Sequence, residues 1–226
     1  MSRAYFITGT DTGVGKTSVA VALLQAAVKR GLSTAAVKPV AAGCELTREG
    51  LRNDDALFLQ QACTVALTYE QINLFALQPA IAPHFAAARE GLRLDAKGLA
   101  THCRSVLDLK ADLTVVEGAG GWRVPLNDNQ TFADIAKLLG LPVILVVDIK
   151  LGCLNHALLS AEAIRADGLA LAGWVANQAS GTNECHAEMV ADLERRLACP
   201  LLGDLPHCLN QDALATHLDL DVLEIL

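Results

Sequence analysis

Apolar residues along this chain fall into short runs separated by stretches with helical spacing. Strand-like runs lie at 4–8, 34–38, 113–117, 142–148, 170–176 and 200–203. Three are nearly continuous: Leu113-Thr-Val-Val, Val143-Ile-Leu-Val-Val and Leu171-Ala-Gly-Trp-Val-Ala. Runs without polar alternation indicate strands buried on both faces. Between them, Val19, Leu23, Ala26 and Ala27 recur on one helical face from Thr17 to about Lys29, and Gly31 supplies the stop. Strands alternating with helices imply right-handed crossovers, hence a doubly wound, mostly parallel sheet with helices on both faces. The pattern is weakest over 41–95, where short helices are predicted at 54–63 and 69–75 and site-specialising loops between them. A packed helix and tail are predicted for 207–226. There is no repeat, low-complexity segment or linker, so 1–226 reads as one α/β domain.

In such a sheet, ligands bind beyond the carboxyl ends of the strands. The strand ends carry Gly9 to Thr17, Lys38-Pro39, Glu117-Gly-Ala-Gly-Gly, Asp148 to His156, Asn177, and Gly203-Asp-Leu-Pro206. The first is the most informative: Gly-Thr-Asp-Thr-Gly-Val-Gly-Lys-Thr, entered from Tyr5-Phe-Ile7. A strand, a glycine-rich turn and Gly-Lys-Thr opening a helix make a phosphate cradle. Lys16 would reach the β/γ-phosphates, and the Thr17 hydroxyl would meet Mg²⁺. The spacing is G-x5-G-K-T, because Thr10 stands where the common pattern has glycine. The fold class is therefore the P-loop NTPase type of α/β protein, with a nucleoside triphosphate and Mg²⁺ as ligands.

Glu117 ends a buried run and precedes what reads as a glycine-rich turn, the position of an acid that holds Mg²⁺. Asp54-Asp55 is a second candidate, although paired acids also simply open helices. Lys38 cannot continue its ladder into Pro39 and must face the site or water. In the site it would give, with Lys16, two ammonium groups around a transferring phosphoryl group. His84 and His156 read as structural.

Composition removes other classes. The net charge of −7, with no Lys/Arg run, argues against nucleic acid. Leu141 to Val147 is too short to span a bilayer, and no secretory leader is visible, so a cytoplasmic location is expected. Seven cysteines without a C-x-x-C pair read as reduced thiols. Cys153, at a predicted helix start that would lower a thiol pKa, reads first as a packing residue like the others.

Together these segments resemble the dethiobiotin synthetase family. Its Y-F-(I/V)-T-G-T-D-T-x-V-G-K-T stands at Tyr5 to Thr17, K-P-V at 38–40 and G-L-R-N-x-D-A at 50–56. V-E-G-A-G-G-W spans 116–122 and F-A-D 132–134. L-P-V-I-L-V-V runs on to K-L-G-C-x-N-H-A at 150–157, followed by A-G-W-V-A-N at 172–177 and P-L-L-G at 200–203. The resemblance implies that 7,8-diaminopelargonic acid, CO₂ and MgATP give dethiobiotin, ADP and phosphate. The route runs through a carbamate and a carbamic-phosphoric anhydride.

By the same resemblance, Gly13, Val14, Gly15, Lys16, Thr17, Asn177 and Pro206 bind nucleotide, and Thr17, Asp55 and Glu117 hold Mg²⁺. Lys16, Lys38 and Thr12 are catalytic, while Thr12, Lys38, Ala42 and Gly120 line the diamine or carbamate. Gly152, Cys153, Leu154 and Asn155 offer backbone amides to the substrate carboxylate in the neighbouring subunit's site, which implies a homodimer. Two positions depart from the pattern: Ala42 replaces a frequent Ser or Thr, and Gly13 a glutamate found in some members. The rivals are a cobyrinate-type amidoligase, which normally carries a fused amidotransferase domain, and a partition-type ATPase switch. The latter carries an extra lysine early in the loop, and residues 9–14 have none.

Overall fold

The computed structural model describes residues 3–207 and 211–223. The elements run β1 (Arg3–Gly9), α1 (Lys16–Lys29), β2 (Thr34–Val37), β3 (Val40–Ala42), β4 (Glu45–Thr47), β5 (Gly50–Arg52), α2 (Asp54–Ala62), α3 (Tyr69–Ile72) and β6 (Phe75–Leu77). There follow α4 (Pro83–Arg89), α5 (Ala96–Leu107), β7 (Leu113–Gly121), α6 (Phe132–Leu139), β8 (Val143–Asp148), α7 (Cys153–Ala166), β9 (Leu171–Asn177), α8 (His186–Leu197), β10 (Leu201–Leu205) and α9 (Gln211–Leu214).

Six strands form the central sheet in the order β10-β9-β8-β1-β7-β2, all parallel. The chain leaves β1 toward the β2 edge, returns through β7, then crosses β1 to build outward from β8. Strand order thus reverses beside β1, and the crevice at its carboxyl end is where a doubly wound sheet binds ligands. β8 is buried throughout, as are the first six residues of β7, which explains their unbroken apolar runs. All six predicted strands are present.

Two expectations need correction, for β7 and for the helix at 69–75, and two, for α1 and the tail, are met and extended. β7 does not stop at Glu117 but continues to Gly121, pairing Ile7 with Glu117 and Gly9 with Gly121. Gly118 serves packing rather than a turn, since a Cβ there would lie 3.1 Å from the Phe6 ring. The helix predicted at 69–75 ends at Ile72, and Phe75–Leu77 pairs in parallel with β3 in a separate two-stranded sheet. α1 is buried on more than one face, Val21 and Leu24 included, because α2 and the C-terminal α9 both pack on it. The tail holds only the four-residue α9 and two 3-10 turns, Ala215–His217 and Asp221–Leu223. The rest of that expectation, at 208–210 and 224–226, lies outside the described residues, as does Cys208.

Candidate active site

The loop between β1 and α1 follows from two glycines. A Cβ on Gly9 would lie 2.5 Å from Val14 Cγ2 and 3.2 Å from the Lys16 ammonium, so the glycine one place earlier than usual is what lets the loop close. Gly15 caps α1 with φ +86°, a left-handed conformation, and a Cβ there would strike Asn177 Nδ2. Asn177 Nδ2 donates to the Val14 carbonyl at 2.8 Å, tying the loop to the end of β9. Lys16 curls back to donate to the Asp11 carbonyl at 3.0 Å. Burial pulls its ammonium down to a pKa of about 8, against the pull of Glu117, and the nearby Lys38 charge lowers it further.

Beside the loop lies a compact charge cluster. Glu117, fully buried, accepts from Thr17 Oγ1 at 2.8 Å and from Lys38 Nζ at 2.7 Å, both on Oε1. Lys38 Nζ also donates to Asp55 Oδ2 at 2.5 Å. Burial acts to lower the Lys38 pKa, but the Glu117 and Asp55 carboxylates outweigh it and hold the pKa above the ordinary lysine value. Asp55 is displaced the other way: burial opposes ionisation, and the Lys38 charge and hydrogen bond win and keep its pKa low. The cluster therefore sits as one buried ammonium between two carboxylates.

Glu117 Oε2 is buried and has no hydrogen-bond partner. An orphaned carboxylate oxygen beside a second carboxylate and a threonine hydroxyl is a set of hard oxygen donors, the chemistry that suits Mg²⁺. The residues fit that ion.

Loop and cluster form one wall of a cleft of about 650 Å³. Thr12, Gly13, Gly15, Lys16, Thr17, Lys38, Ala42, Asp55, Glu117 and Gly120 all line it, so most of the sequence-predicted residues converge. Gly120 has φ +62°, and a Cβ there would be 3.4 Å from Thr12 Oγ1, which places these two side by side. The apolar wall is Val40 and Ala41, next to Lys38-Pro39 at the end of the second predicted strand, with Ala80, Ile81, Ala82 and Pro83, a stretch that went unread in the sequence. Its one legible signal was Pro83 at the first turn of a helix. Asn53 was missed as well.

Val14, Asn177, Pro206 and the turn 152–155 do not line this cleft. Val14 is the buried pivot of the phosphate loop, held by Asn177. Pro206 stands next to Asn177 across the sheet: Leu205 pairs with Asn177, and Gln178 N–H donates to the Leu205 carbonyl at 3.0 Å. Gly152 caps α7 with φ +95°, and the preceding Leu151 is 91% exposed. Cys153 does begin α7, and there it is the packing residue expected rather than a thiol with a lowered pKa. It is buried, and burial pushes its pKa up. Asp148 accepts from the Ser180 N–H at 3.0 Å and pairs with Lys150 at 3.0 Å, a local brace outside the cleft. Six cysteines are free among the described residues. No helix of the described residues is long and apolar enough to cross a membrane.

The parallel sheet, the glycine loop at the reversal of strand order and the buried Lys-carboxylate cluster define an α/β nucleotide-binding protein of the P-loop class. Solved structures agree on the fold. The septum site-determining protein MinD of Pyrococcus horikoshii, complexed with Mg-ADP, superposes with a TM-score of 0.60 at 19% identity, over 98% of this chain and 89% of that one. The MinD cell division protein of Aquifex aeolicus gives 0.55 at 13%, over 95% and 86%.

A family described as an AAA domain matches residues 3–215. The ATP-dependent dethiobiotin synthetase BioD of Pseudomonas paraeruginosa is 57% identical over 224 residues, 98% of each chain. That of Pseudescherichia vulneris is 50% identical over 206 residues, 91% of this chain and 85% of the relative. This chain belongs to the ATP-dependent dethiobiotin synthetase family.

Proposed function

We propose that this chain forms dethiobiotin from 7,8-diaminopelargonic acid, CO₂ and MgATP, releasing ADP and phosphate. The observation that carries the reading is a single cleft walled on one side by the Lys16 loop and the Lys38 cluster, and on the other by small apolar residues. A substrate whose alkyl chain joins a carboxylate to two amines matches those two walls, with the chain on the apolar residues and the amine end toward the cluster. The family relatives at high identity support the same activity.

The chemistry demands that two anions meet. An amine with a lysine-like pKa must first lose a proton to capture CO₂, at a cost of up to about 4–5 kcal/mol at neutral pH. The carbamate oxygen then attacks the γ-phosphorus of ATP. This forms the carbamic-phosphoric anhydride and expels ADP. The second amine attacks the carbamoyl carbon, the C–O bond to phosphate breaks, and the cyclic urea closes. Lys16 and Lys38 offset the negative charge of carbamate and triphosphate, while the loop amides of Gly13 to Thr17 hold the phosphates. Thr17, Asp55 and Glu117 would hold Mg²⁺, which neutralises phosphate charge. Thr12, Lys38, Ala42 and Gly120 receive the diamine end. Asn177, with the backbone at Pro206, takes the adenine.

A homodimer is part of the proposal. The amides of Gly152, Cys153, Leu154 and Asn155 at the start of α7 lie outside their own subunit's cleft and would bind the substrate carboxylate in a neighbour's. The exposed Leu151 beside them supports burial against a second copy. A cytoplasmic location suits the reduced thiols.

Phosphate release from MgATP with bicarbonate, with and without the diamine, tests the activity, together with mass detection of the cyclic urea. Diamine-dependent release with urea formed is the expected result. Hydrolysis indifferent to the diamine, with no urea, overturns it.

A further inference from the structure

Lys38 and Asp55 meet at 2.5 Å, yet they sit on separate elements, and Pro39 removes the backbone donor that would extend the ladder past Lys38. What holds them in register is a chain of hydrogen bonds through α3 and the residue after it. The Lys38 N–H donates to the Ile72 carbonyl at 2.8 Å. The Lys38 carbonyl accepts from Asn73 Nδ2 at 2.8 Å. Asn73 Oδ1 accepts from the Tyr69 hydroxyl at 3.2 Å. The Tyr69 oxygen in turn accepts the N–H of Asn53 at 2.8 Å, two residues before Asp55.

Both Tyr69 and Asn73 are buried, and neither lines the cleft. The Arg52 guanidinium lies 4.1 Å above the Tyr69 ring and closes the outer side of the chain. α3 is itself fixed by a Thr68/Gln71 capping box. A four-residue helix, anchored in the core by Ile72, thus holds the backbone of both partners in the charge cluster.

We propose that Tyr69 and Asn73 are positioning residues that set the distance between Lys38 and Asp55, and through Asp55 the affinity of the site for the cation that accompanies nucleotide. This rests on the proposed roles of those two side chains. Small displacements of catalytic groups are costly: a shift near 1 Å lowers rates by up to about a hundredfold. A buried polar chain in which the Tyr69 hydroxyl both donates and accepts is a rigid spacer of the kind needed to prevent one.

Tyr69→Phe removes the hydroxyl and leaves the ring beneath Arg52, so the fold is retained. Nucleotide affinity measured by calorimetry in EDTA should stay within about twofold of wild type, because the phosphate loop is untouched. The factor by which Mg²⁺ tightens that affinity should fall about fivefold or more, and kcat about tenfold or more, alongside a lowered melting temperature, because the Asn53 N–H and Asn73 Oδ1 lose their partner. Asn73→Ala should act likewise. The double variant should cost no more than the worse single, since both cut one chain. A lowered melting temperature with wild-type kcat or a wild-type Mg²⁺ factor would make the chain merely structural and overturn the proposal. So would a loss of affinity in EDTA that accounts for the whole effect. If the wild type released no phosphate in response to the diamine, the activity reading would fail separately, and the Mg²⁺ factor would still test the spacing.

Discussion

The two walls of the cleft are built on opposite principles. The phosphate wall concentrates charge: Lys16, Lys38, Glu117 and Thr17 are all buried, and a glycine loop admits no side chain at its tightest points. The facing wall, Val40 to Ala42 and Ala80 to Pro83, carries no charge and rests on a three-residue strand and a helix start. Buried charge in fixed geometry acts strongly on an anion and costs stability in the free protein. Small apolar residues on short elements recognise shape and cost little. Function and stability should therefore be opposed at Lys16, aligned at Lys38 where two carboxylates neutralise the charge, and nearly uncoupled on the second wall.

Lys16→Met gives the largest break. Loss of the ammonium should lower turnover by roughly 10²–10³-fold in steady-state kinetics. The free protein should become more stable. The folded pKa of about 8 lies below the unfolded value, so the charged form is penalised. The penalty is fully present below pH 8 and relieved as pH rises through the unfolded pKa. Its removal should raise stability by up to about 3 kcal/mol, read from denaturation near neutral pH.

Lys38→Met should move stability the other way, because two carboxylates lose their shared ammonium. A loss of about 3–5 kcal/mol is expected, partly recovered by millimolar MgCl₂, with turnover down by about a hundredfold. Cation binding without nucleotide should tighten. Unchanged stability would show that the cluster is not electrostatically coupled. The pH dependence is a smaller effect. ATP affinity should be flat below pH 8 and fall by at most about tenfold per unit above it, as Lys16 deprotonates. Calorimetry in buffers of differing ionisation enthalpy should detect proton uptake near pH 8. On the apolar wall, Ala42→Ser should alter the diamine KM by no more than about fivefold, with stability unchanged.

Legibility followed the same division. The phosphate wall could be read because its chemistry is local: a strand, then glycines, then Gly-Lys-Thr, with Glu117 and Lys38 as charged breaks in apolar runs. The resemblance singled out Asp55 from the Asp54-Asp55 pair and added Thr12, Gly120 and Ala42, and the structure brings all four to the same cleft. The 80–83 part of the apolar wall could not be read, since Ala80-Ile-Ala carries no periodicity and gains meaning only when the chain brings it opposite Lys16. Phe75–Leu77 was likewise opaque, because three residues are too few to separate strand from helix until β3 pairs with them. At Cys153, helix position would lower the thiol pKa, but the burial expected of a packing residue dominates.

The place of β1 in the sheet also governs the order in which the protein can be made. Its two hydrogen-bonded neighbours, β7 and β8, are both synthesised more than a hundred residues after it. A growing chain that has released only the Gly-Lys-Thr segment presents two open edges and lacks Glu117. Closing those long loops carries the entropy cost that slows parallel pairing. Nucleotide therefore cannot template the early folding of its own loop, and its stabilisation reaches the chain only after residue 148 has emerged.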